Sequence, residues 1–166
     1  MVNIRLARQE DLARLNSIYN WAVEHTVATF DLEPRSWDQA LAWYNLHQDP
    51  YYPLCVLETK AEIAGWGSIS PFHPRPAYRR SGEFSVYVAP DFQHKGFGNI
   101  LLGWLCREAE KLGYHTLLGL ITASNKASLQ LAAKHGFAQV GYYREVGCKF
   151  GSWQDVIVVQ RLFEKT

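Results

Sequence analysis

The stretch from Glu83 to Leu102 constrains the fold of this chain most, because it reads as a strand, a short polar loop and the start of a helix in direct succession. Residues 85–88 are β-branched, aromatic or small, which is typical of a strand, and Pro90 ends it because proline has no N–H to donate to a neighbouring strand. Apolar residues then recur at helical spacing from Ile100 to Leu112. They predict a helix that begins near Gly98 and buries one face.

The loop before that helix has the composition of an anion-binding site. The first turn of a helix has free N–H groups and a partial positive charge, and Gly96 and Gly98 carry no side chain that would keep a ligand away. His94 and Lys95 can add donors at the rim. The loop therefore predicts a cradle for a phosphate or pyrophosphate, and a glycine-containing turn without a ligand is the simpler alternative.

Two common phosphate-binding motifs do not fit this loop. A P-loop ends in Gly-Lys-Ser/Thr, but here Gly98 is followed by Asn99. The dinucleotide fingerprint needs a third glycine at the position where Leu101 stands. The pattern that remains is Gln93-x-x-Gly96-x-Gly98 directly after a strand.

The composition excludes several classes of protein. With 166 residues, of which 48% are hydrophobic and 20% charged, we expect one globular domain over residues 1–166. The net charge of +1 gives no reason to expect a nucleic acid or an anionic membrane as a partner. We expect no membrane span, since no apolar run has the required length, and the N-terminus shows no apolar signal core.

The cysteines and histidines do not form a metal-binding pattern. Cys55, Cys106 and Cys148 are far apart, so we expect reduced thiols in a cytoplasmic protein. A catalytic cysteine stays open as an alternative, although nothing places a histidine beside one. The six histidines are scattered without ligand spacing, and we therefore expect no metal site.

Hydrophobic periodicity and breaker residues predict the element order β-α-α-β-β-β-α-β-α-β-β. This order favours one mixed sheet with helices on both faces. The predicted strands are Asn3 to Ala7, Leu54 to Thr59, Ile63 to Ile69, Ser85 to Val88, Thr116 to Ile121, Phe137 to Glu145 and Trp153 to Arg161, with Lys60-Ala61-Glu62 as a hairpin turn and Gly147 to Gly151 between the last two. The predicted helices run from Glu10 to His25, from the N-cap Ser36 with Gln39 as a capping box to Asp49-Pro50, from Gly98 to Leu112, and from the N-cap Asn125 to His135.

This order resembles the GCN5-related N-acetyltransferase (GNAT) fold, and the motifs resemble the branch of phosphinothricin and methionine sulfoximine/sulfone acetyltransferases. The resemblance implies an α/β (α+β) fold with a single mixed, mostly antiparallel sheet flanked by about four helices. It also implies acetyl-CoA as co-substrate, a small amino-acid-like amine as acceptor, and a homodimer. Five segments carry it: Thr26-Val27-x-x-Phe30-x-x-Glu33-Pro34, Arg75-x-Ala77-Tyr78, Glu83-x-Ser85-Val86-Tyr87-Val88, Gln93-x-x-Gly96-x-Gly98 and Gly147-x-Lys149-x-Gly151-x-Trp153-x-Asp155-Val156-x-x-x-Gln160.

Glu83 is the candidate general base. An α-amine is mostly protonated at neutral pH, so acetyl transfer to it needs a proton acceptor. The resemblance supports Glu83, because the branch has its proposed base at this place. The alternative is a glutamate at a solvated strand end.

The resemblance also assigns a cofactor site. The backbone of residues 84–88 would line the pantetheine arm, the loop would hold the pyrophosphate, and Asn125, which can equally be a helix cap alone, would reach the cofactor from the next helix. Lys126 or Arg107 would meet the 3′-phosphate, or each is a surface charge. The candidate cofactor residues are Val86, Tyr87, Val88, Gln93, His94, Lys95, Gly96, Phe97, Gly98, Asn99, Asn125 and Ser128.

For the acceptor, Arg75 is the notable residue, because a guanidinium grips a carboxylate with two hydrogen bonds. Phe30 and Tyr78, with Arg79 as a further candidate, would shape the rest of the pocket, and core packing is the alternative for Phe30. Trp153 and Gln160 are expected to be structural or part of a dimer contact.

One position departs from the branch. The branch has a histidine in the helix after the equivalent of Asn125, and many superfamily members have a tyrosine there. In this chain the matching residue is Ala132, which cannot donate a proton. His135 lies three residues on, near the same side of the helix, or is a surface histidine. Either water or another group protonates the leaving thiolate, or the acceptor differs.

Three functions are compatible with these residues. The favoured one is an acetyl-CoA-dependent N-acetyltransferase acting on an acceptor of the phosphinothricin or methionine sulfoximine/sulfone type. The others are a non-catalytic acyl-CoA-binding sensor and a protein N-terminal acetyltransferase. Glu83 together with Arg75 favours the enzyme on small acceptors, because a sensor needs neither residue.

Overall fold

The computed structural model describes residues 1–60 and 62–164, and in this part of the chain seven strands form one sheet in the order β1-β2-β3-β4-β5-β7-β6. Strands β4 and β5 are parallel, and every other neighbouring pair is antiparallel. The predicted mixed, mostly antiparallel sheet is therefore confirmed. The strands are β1 Asn3–Leu6, β2 Leu54–Glu58, β3 Ile63–Pro71, β4 Ser81–Val88, β5 Thr116–Thr122, β6 Ala138–Lys149 and β7 Ser152–Leu162.

Helices cover both faces of the sheet, as predicted. Helices α1 and α2 bury Leu15 and Tyr44 against Trp66 on one face, whereas α3 and α4 bury Leu105 and Ala132 on the other. No helix of the described residues has the length and hydrophobicity needed to cross a membrane. The helices are α1 Leu12–His25, α2 Trp37–Leu46, α3 Phe97–Leu112 and α4 Lys126–Lys134, with short 3-10 turns at Gln9–Asp11, Pro76–Tyr78 and Pro90–Phe92.

Both helix caps predicted from local sequence are confirmed. The Ser36 hydroxyl accepts a hydrogen bond from the Gln39 N–H at 3.2 Å, and the Gln39 side chain accepts one from the Ser36 N–H at 2.9 Å. At the start of α4, the Asn125 side-chain oxygen accepts a hydrogen bond from the Ser128 N–H at 3.2 Å. These bonds join residues only three apart, so the sequence alone determines them.

Several element ends differ from the prediction. Helix α2 ends at Leu46 rather than at Asp49-Pro50, and α3 begins at Phe97 rather than at Gly98. Strand β6 continues to Lys149, through residues predicted to be a connection, because β7 pairs with it again beyond a bulge. The predicted hairpin turn includes Ala61, which lies outside the described residues.

Strand β4 begins four residues earlier than predicted, and this extension positions the candidate site. Residues 81–83 pair with β5 on one side, and residues 82–88 pair with β3 on the other. Beyond Glu83 the two parallel strands separate, so the side of β4 that faces β5 has no strand partner among the described residues from Phe84 to Val88. A space opens between β4 and β5 at this point.

Candidate active site

Two adjoining cavities lie where β4 and β5 separate. The first, here called the glutamate cavity, has a volume of about 290 Å³ and is lined by Glu83, Phe30 and residues of both strands. The second, here called the helix cavity, has a volume of about 600 Å³ and reaches the N-terminus of α3. Both are lined by Ala28, Val86, Tyr87, Asn125, Ser128 and Leu131.

The N-terminus of α3 is open toward the helix cavity. Gly96 is its N-cap, with a left-handed φ of 80°, and no side chain caps the first N–H groups. A Cβ atom on Gly98 would lie 3.3 Å from the Leu131 side chain, so a larger residue would narrow the cavity. The first turn of α3 can therefore receive an anion on its free N–H groups.

The structure brings ten of the twelve candidate cofactor residues together around the helix cavity. Two side chains point elsewhere. Lys95 donates to the Asp91 carbonyl at 2.9 Å, and the Asn99 side-chain oxygen lies 2.9 Å from Nε2 of His135. The ten that line the helix cavity are Val86, Tyr87, Val88, Gln93, His94, Gly96, Phe97, Gly98, Asn125 and Ser128.

Glu83 lies at the last paired position between β4 and β5, opposite Leu118, and lines the glutamate cavity. Burial raises the pKa of its carboxyl group above the ordinary glutamate value. Among the described residues its carboxylate has no hydrogen bond or ion pair that would oppose this shift. Glu83 therefore binds a proton more readily than an exposed glutamate, as a general base for an amine should.

The segment after α1 forms the opposite wall of the glutamate cavity through Ala28, Thr29 and Phe30. The Thr122 hydroxyl donates to the Val27 carbonyl at 2.6 Å, which ties this segment to β5. The Tyr19 hydroxyl contacts both Thr29 and Asp31. Burial and the Asp31 hydrogen bond raise the pKa of Tyr19 to about 12, so this phenol stays protonated and can donate.

Arg75 and Tyr78 line neither cavity. They belong to an exposed turn between β3 and β4, where the Tyr78 ring contacts Phe72 and His73. The guanidinium of Arg75 has no hydrogen bond or ion pair within the described ranges, whereas Arg79 lies 5.0 Å from the centre of the Tyr51 ring. The guanidinium of Arg75 is therefore free to pair with a ligand, whereas that of Arg79 would have to leave the Tyr51 ring.

Because Ala132 cannot donate a proton, another group must protonate the leaving thiolate. Ala132 is fully buried in the core and lines neither cavity. His135 also lies outside both cavities, beside Asn99, and burial lowers its pKa. The hydroxyl groups that line the glutamate cavity belong to Thr29, Ser85, Tyr87, Thr122 and Ser128.

Sequence reasoning missed several residues of the helix cavity. Trp21 and His25, one turn apart on α1, stack with ring centres 4.9 Å apart, and Phe150 reaches the cavity from the β6–β7 turn. The spacing of Trp21 and His25 could have indicated a shared helix face, whereas nothing in the sequence marks Phe150. Within residues 1–60 and 62–164, no group of three or more His, Cys, Asp or Glu side chains is arranged to hold a metal ion.

Comparison with protein families explains this arrangement. The model of the acetyltransferase (GNAT) family matches residues 15–137, which is more than half of the chain. The chain belongs to the GNAT family. The predicted family, fold and enzyme class, an N-acetyltransferase, are confirmed.

Relatives of this GNAT chain share about a third of its residues over nearly the whole length. The L-amino acid N-acyltransferase MnaT of Escherichia coli is 36% identical over 99% of this chain and 96% of its own. The L-methionine sulfoximine/L-methionine sulfone acetyltransferase of Salmonella typhimurium is 36% identical over 96% of this chain and 93% of its own. The phosphinothricin N-acetyltransferase of Streptomyces coelicolor is 37% identical over 96% of this chain and 95% of its own.

Solved structures of GNAT proteins match the whole fold. An acetyltransferase from Salmonella typhimurium, determined with its cofactor acetyl-CoA, has a TM-score of 0.95 at 35% identity and covers 99% of this chain and 95% of its own. A phosphinothricin acetyltransferase from Sinorhizobium meliloti in complex with acetyl-CoA has a TM-score of 0.92 at 30% identity, with coverage of 97% and 88%. The ribosomal-protein-alanine N-acetyltransferase of Brucella melitensis has a TM-score of 0.94 at 35% identity, with coverage of 97% and 99%.

Proposed function

We propose that this GNAT enzyme transfers the acetyl group of acetyl-CoA to the amine of a small amino-acid-like acceptor of the phosphinothricin or methionine sulfoximine/sulfone type. The observation that carries the proposal is the position of Glu83. This partly buried residue lies at the junction of β4 and β5 and lines the cavity that adjoins the one at the open N-terminus of α3. The names of the relatives support an acceptor that carries both an amine and an acidic group.

Acetyl-CoA fits the helix cavity. Its diphosphate would accept hydrogen bonds from the free N–H groups of the first turn of α3, where Gly96 and Gly98 leave room. Its pantetheine arm would pair with the free side of β4 between Phe84 and Val88 as an added strand, and a β4 N–H would polarise the thioester carbonyl. Asn125 and Ser128 line both cavities and would contact the arm where it enters the glutamate cavity.

The reaction follows from this placement. Glu83 accepts a proton from the acceptor ammonium group, directly or through a water molecule, and the free amine nitrogen attacks the thioester carbon. A C–N bond forms, the C–S bond breaks, and the coenzyme A thiolate leaves. As the amide forms, its nitrogen releases its second proton to water or to a hydroxyl group of the cavity. The thiolate gains one proton from the same groups, because Ala132 cannot supply one.

The test is a thiol-release assay with acetyl-CoA and a panel of acceptors. We expect release with methionine sulfone, methionine sulfoximine or phosphinothricin, and weaker release with polyamines. A peptide with a free N-terminus belongs in the panel, since one structural neighbour is named as a ribosomal-protein-alanine N-acetyltransferase. No residue of the loop 72–80 lines either cavity, so this loop does not exclude a peptide. Coenzyme A binding without release on any acceptor would favour a sensor.

We propose that Arg75 binds the carboxylate of the acceptor, and we expect Arg75→Ala to raise the KM for such acceptors. Loss of a charged hydrogen-bonded pair should increase KM about 10- to 100-fold, with a smaller change in kcat. The KM for an acceptor amine that lacks the carboxylate should stay unchanged. Arg79→Ala, in the same turn, shows whether the effect belongs to Arg75 alone. Equal KM values for Arg75→Ala and the wild-type enzyme would exclude this role.

We also propose a cytoplasmic homodimer of a chain that forms one domain over residues 1–166. All three cysteines are free, which fits a reducing compartment. The outer edge of β6 has no strand neighbour within the described residues, and large apolar side chains are exposed on β6 and β7, among them Val140, Tyr143 and Trp153. Exposed apolar surface of this kind is typical of an interface.

Sedimentation velocity tests the homodimer. We expect a mass twice the 19.0 kDa of the chain for the wild-type protein, and a mass of one chain for the variant Val140→Arg/Trp153→Arg. The charged side chains would be buried without partners in such an interface. A wild-type protein that sediments as a single chain at micromolar concentration would contradict the proposal.

A further inference from the structure

The end of β6 supports the segment that forms one wall of the glutamate cavity. The ammonium group of Lys149 donates a hydrogen bond to the Thr29 carbonyl at 2.7 Å. Lys149 is only 3% exposed, which is unusual for a lysine. Because Thr29 and Phe30 line the glutamate cavity and Lys149 does not, Lys149 acts on the cavity from behind its wall.

The burial of Lys149 needs an explanation, since a buried ammonium group without a carboxylate partner is destabilising. No carboxylate of the described residues forms an ion pair with it. Burial lowers the pKa of Lys149, and the charge of Asp31 opposes this shift. Its other contact is the Phe150 ring, whose centre lies 5.1 Å away. The bond to Thr29 is therefore the directional contact that the buried charge makes.

Gly147, two residues earlier on β6, contacts the same segment in a different way. A Cβ atom at this position would lie 2.4 Å from the Phe30 ring, closer than two such atoms can approach. The φ angle of Gly147 is not in the left-handed region, so the requirement for glycine is one of space alone. The Phe30 ring can pack against β6 at this point only because position 147 has no side chain.

We propose that Lys149 and Gly147 are positioning residues that fix Thr29 and Phe30 against the acceptor, and so set which acceptor side chains the glutamate cavity accepts. The inference rests on the proposed function and deepens it. Lys149 holds the backbone of Thr29, and Gly147 leaves room for the Phe30 ring in the wall of the cavity. Neither residue needs to touch acetyl-CoA or the reacting amine.

The first test is Lys149→Met, which keeps an apolar stem of similar length and removes the donor. We expect the KM for the acceptor to rise about tenfold, the KM for acetyl-CoA to stay within about twofold, and kcat to change less than the acceptor KM. A general loss of stability would not separate the two KM values in this way. Lys134→Met, an exposed lysine on α4, is the matched control and should leave all three constants unchanged.

The second test is a double-mutant cycle between Gly147→Ala and Phe30→Ala. The new methyl group should displace the Phe30 ring and change the ranking of acceptors by side-chain size, and this effect should vanish when Phe30 is already alanine. Gly141→Ala, on the same strand, is the matched control, because its Cβ would meet only Val158 at an ordinary 3.4 Å.

The outcomes separate this inference from the proposed function. A wild-type enzyme that acetylates no acceptor contradicts the proposed function. A wild-type enzyme that is active, with acceptor constants unchanged by Lys149→Met and additive effects in the cycle, overturns the role of β6. If Lys149→Met does not fold, the double-mutant cycle between Gly147 and Phe30 tests the proposal by itself. Gly147→Ala adds only one methyl group and should still fold.

Discussion

Replacing Glu83 with glutamine lowers kcat/KM at pH 7 about 10²- to 10³-fold, while the affinity for acetyl-CoA stays within about twofold. The amide has the shape of the acid but cannot accept the proton of the ammonium group. Glu83 lines the glutamate cavity and not the helix cavity, so its loss should not disturb the diphosphate site on α3. Steady-state kinetics and calorimetric titration measure the two effects separately. Equal turnover in both proteins would remove Glu83 from the mechanism.

The pH dependence of kcat/KM tests the role of Glu83 as the general base independently. Because burial raises the pKa of its carboxyl group, kcat/KM should fall with decreasing pH at a higher pH than an ordinary glutamate would give. This acidic limb should be absent from the residual activity of Glu83→Gln. An unchanged acidic limb in the variant would assign it to another group.

The same shift predicts a change in stability. A carboxyl pKa raised in the folded state means that the charged form destabilises the fold at pH values above that pKa. Glu83→Gln should therefore be at least as stable as the wild-type protein at pH 7. This advantage should decrease as the pH falls from the folded-state pKa toward the pKa of the unfolded chain, and it should vanish below the latter, where both states hold the proton. Thermal unfolding at pH 7 and pH 4 measures it.

Replacing Gly98 with valine weakens acetyl-CoA binding about 100-fold, or about 2.7 kcal/mol. Position 98 lies in the first turn of α3 and lines the helix cavity, where a Cβ atom would already contact Leu131 and Val86 at 3.3 and 4.0 Å. The branched side chain of valine would therefore fill space beside the free N–H groups. Calorimetric titration with acetyl-CoA measures the loss.

The control for Gly98→Val is Gly113→Ala at the other end of α3. Gly113 has a left-handed φ of 82°, so alanine there strains the backbone and lowers the Tm, but it lies outside both cavities. We expect its affinity for acetyl-CoA to match that of the wild-type protein. If Gly98→Val bound acetyl-CoA as tightly as Gly113→Ala, the diphosphate could not lie at the start of α3.

The sequence predicted those parts of the site that depend on neighbours in the chain. The glycines of the loop, the strand before it and the cap at Asn125 follow from residues within a few positions of one another. The direction of Asn99 does not, because its partner His135 lies 36 residues further along the chain. The direction of Lys95 was missed for another reason, since it donates to a backbone carbonyl, that of Asp91, and no side-chain pattern marks such a bond. The loop could therefore be located while two of its contacts could not.

The end of β6 shows the same limit over a longer distance. Residues 147–151 were predicted to connect the last two strands, because a glycine stands at each end of this short stretch. In the fold, pairing with β7 resumes beyond a bulge and brings Gly147 against Phe30 and Lys149 against Thr29. More than a hundred residues separate these partners in the chain, and no local pattern reports such a contact.

A crystal structure of the enzyme with acetyl-CoA tests the central claim most directly. We expect the diphosphate on the N–H groups of the first turn of α3, the pantetheine arm along β4 from Phe84 to Val88, and the thioester carbon at the glutamate cavity, facing Glu83. A coenzyme bound elsewhere, or a thioester that faces away from Glu83, would contradict it.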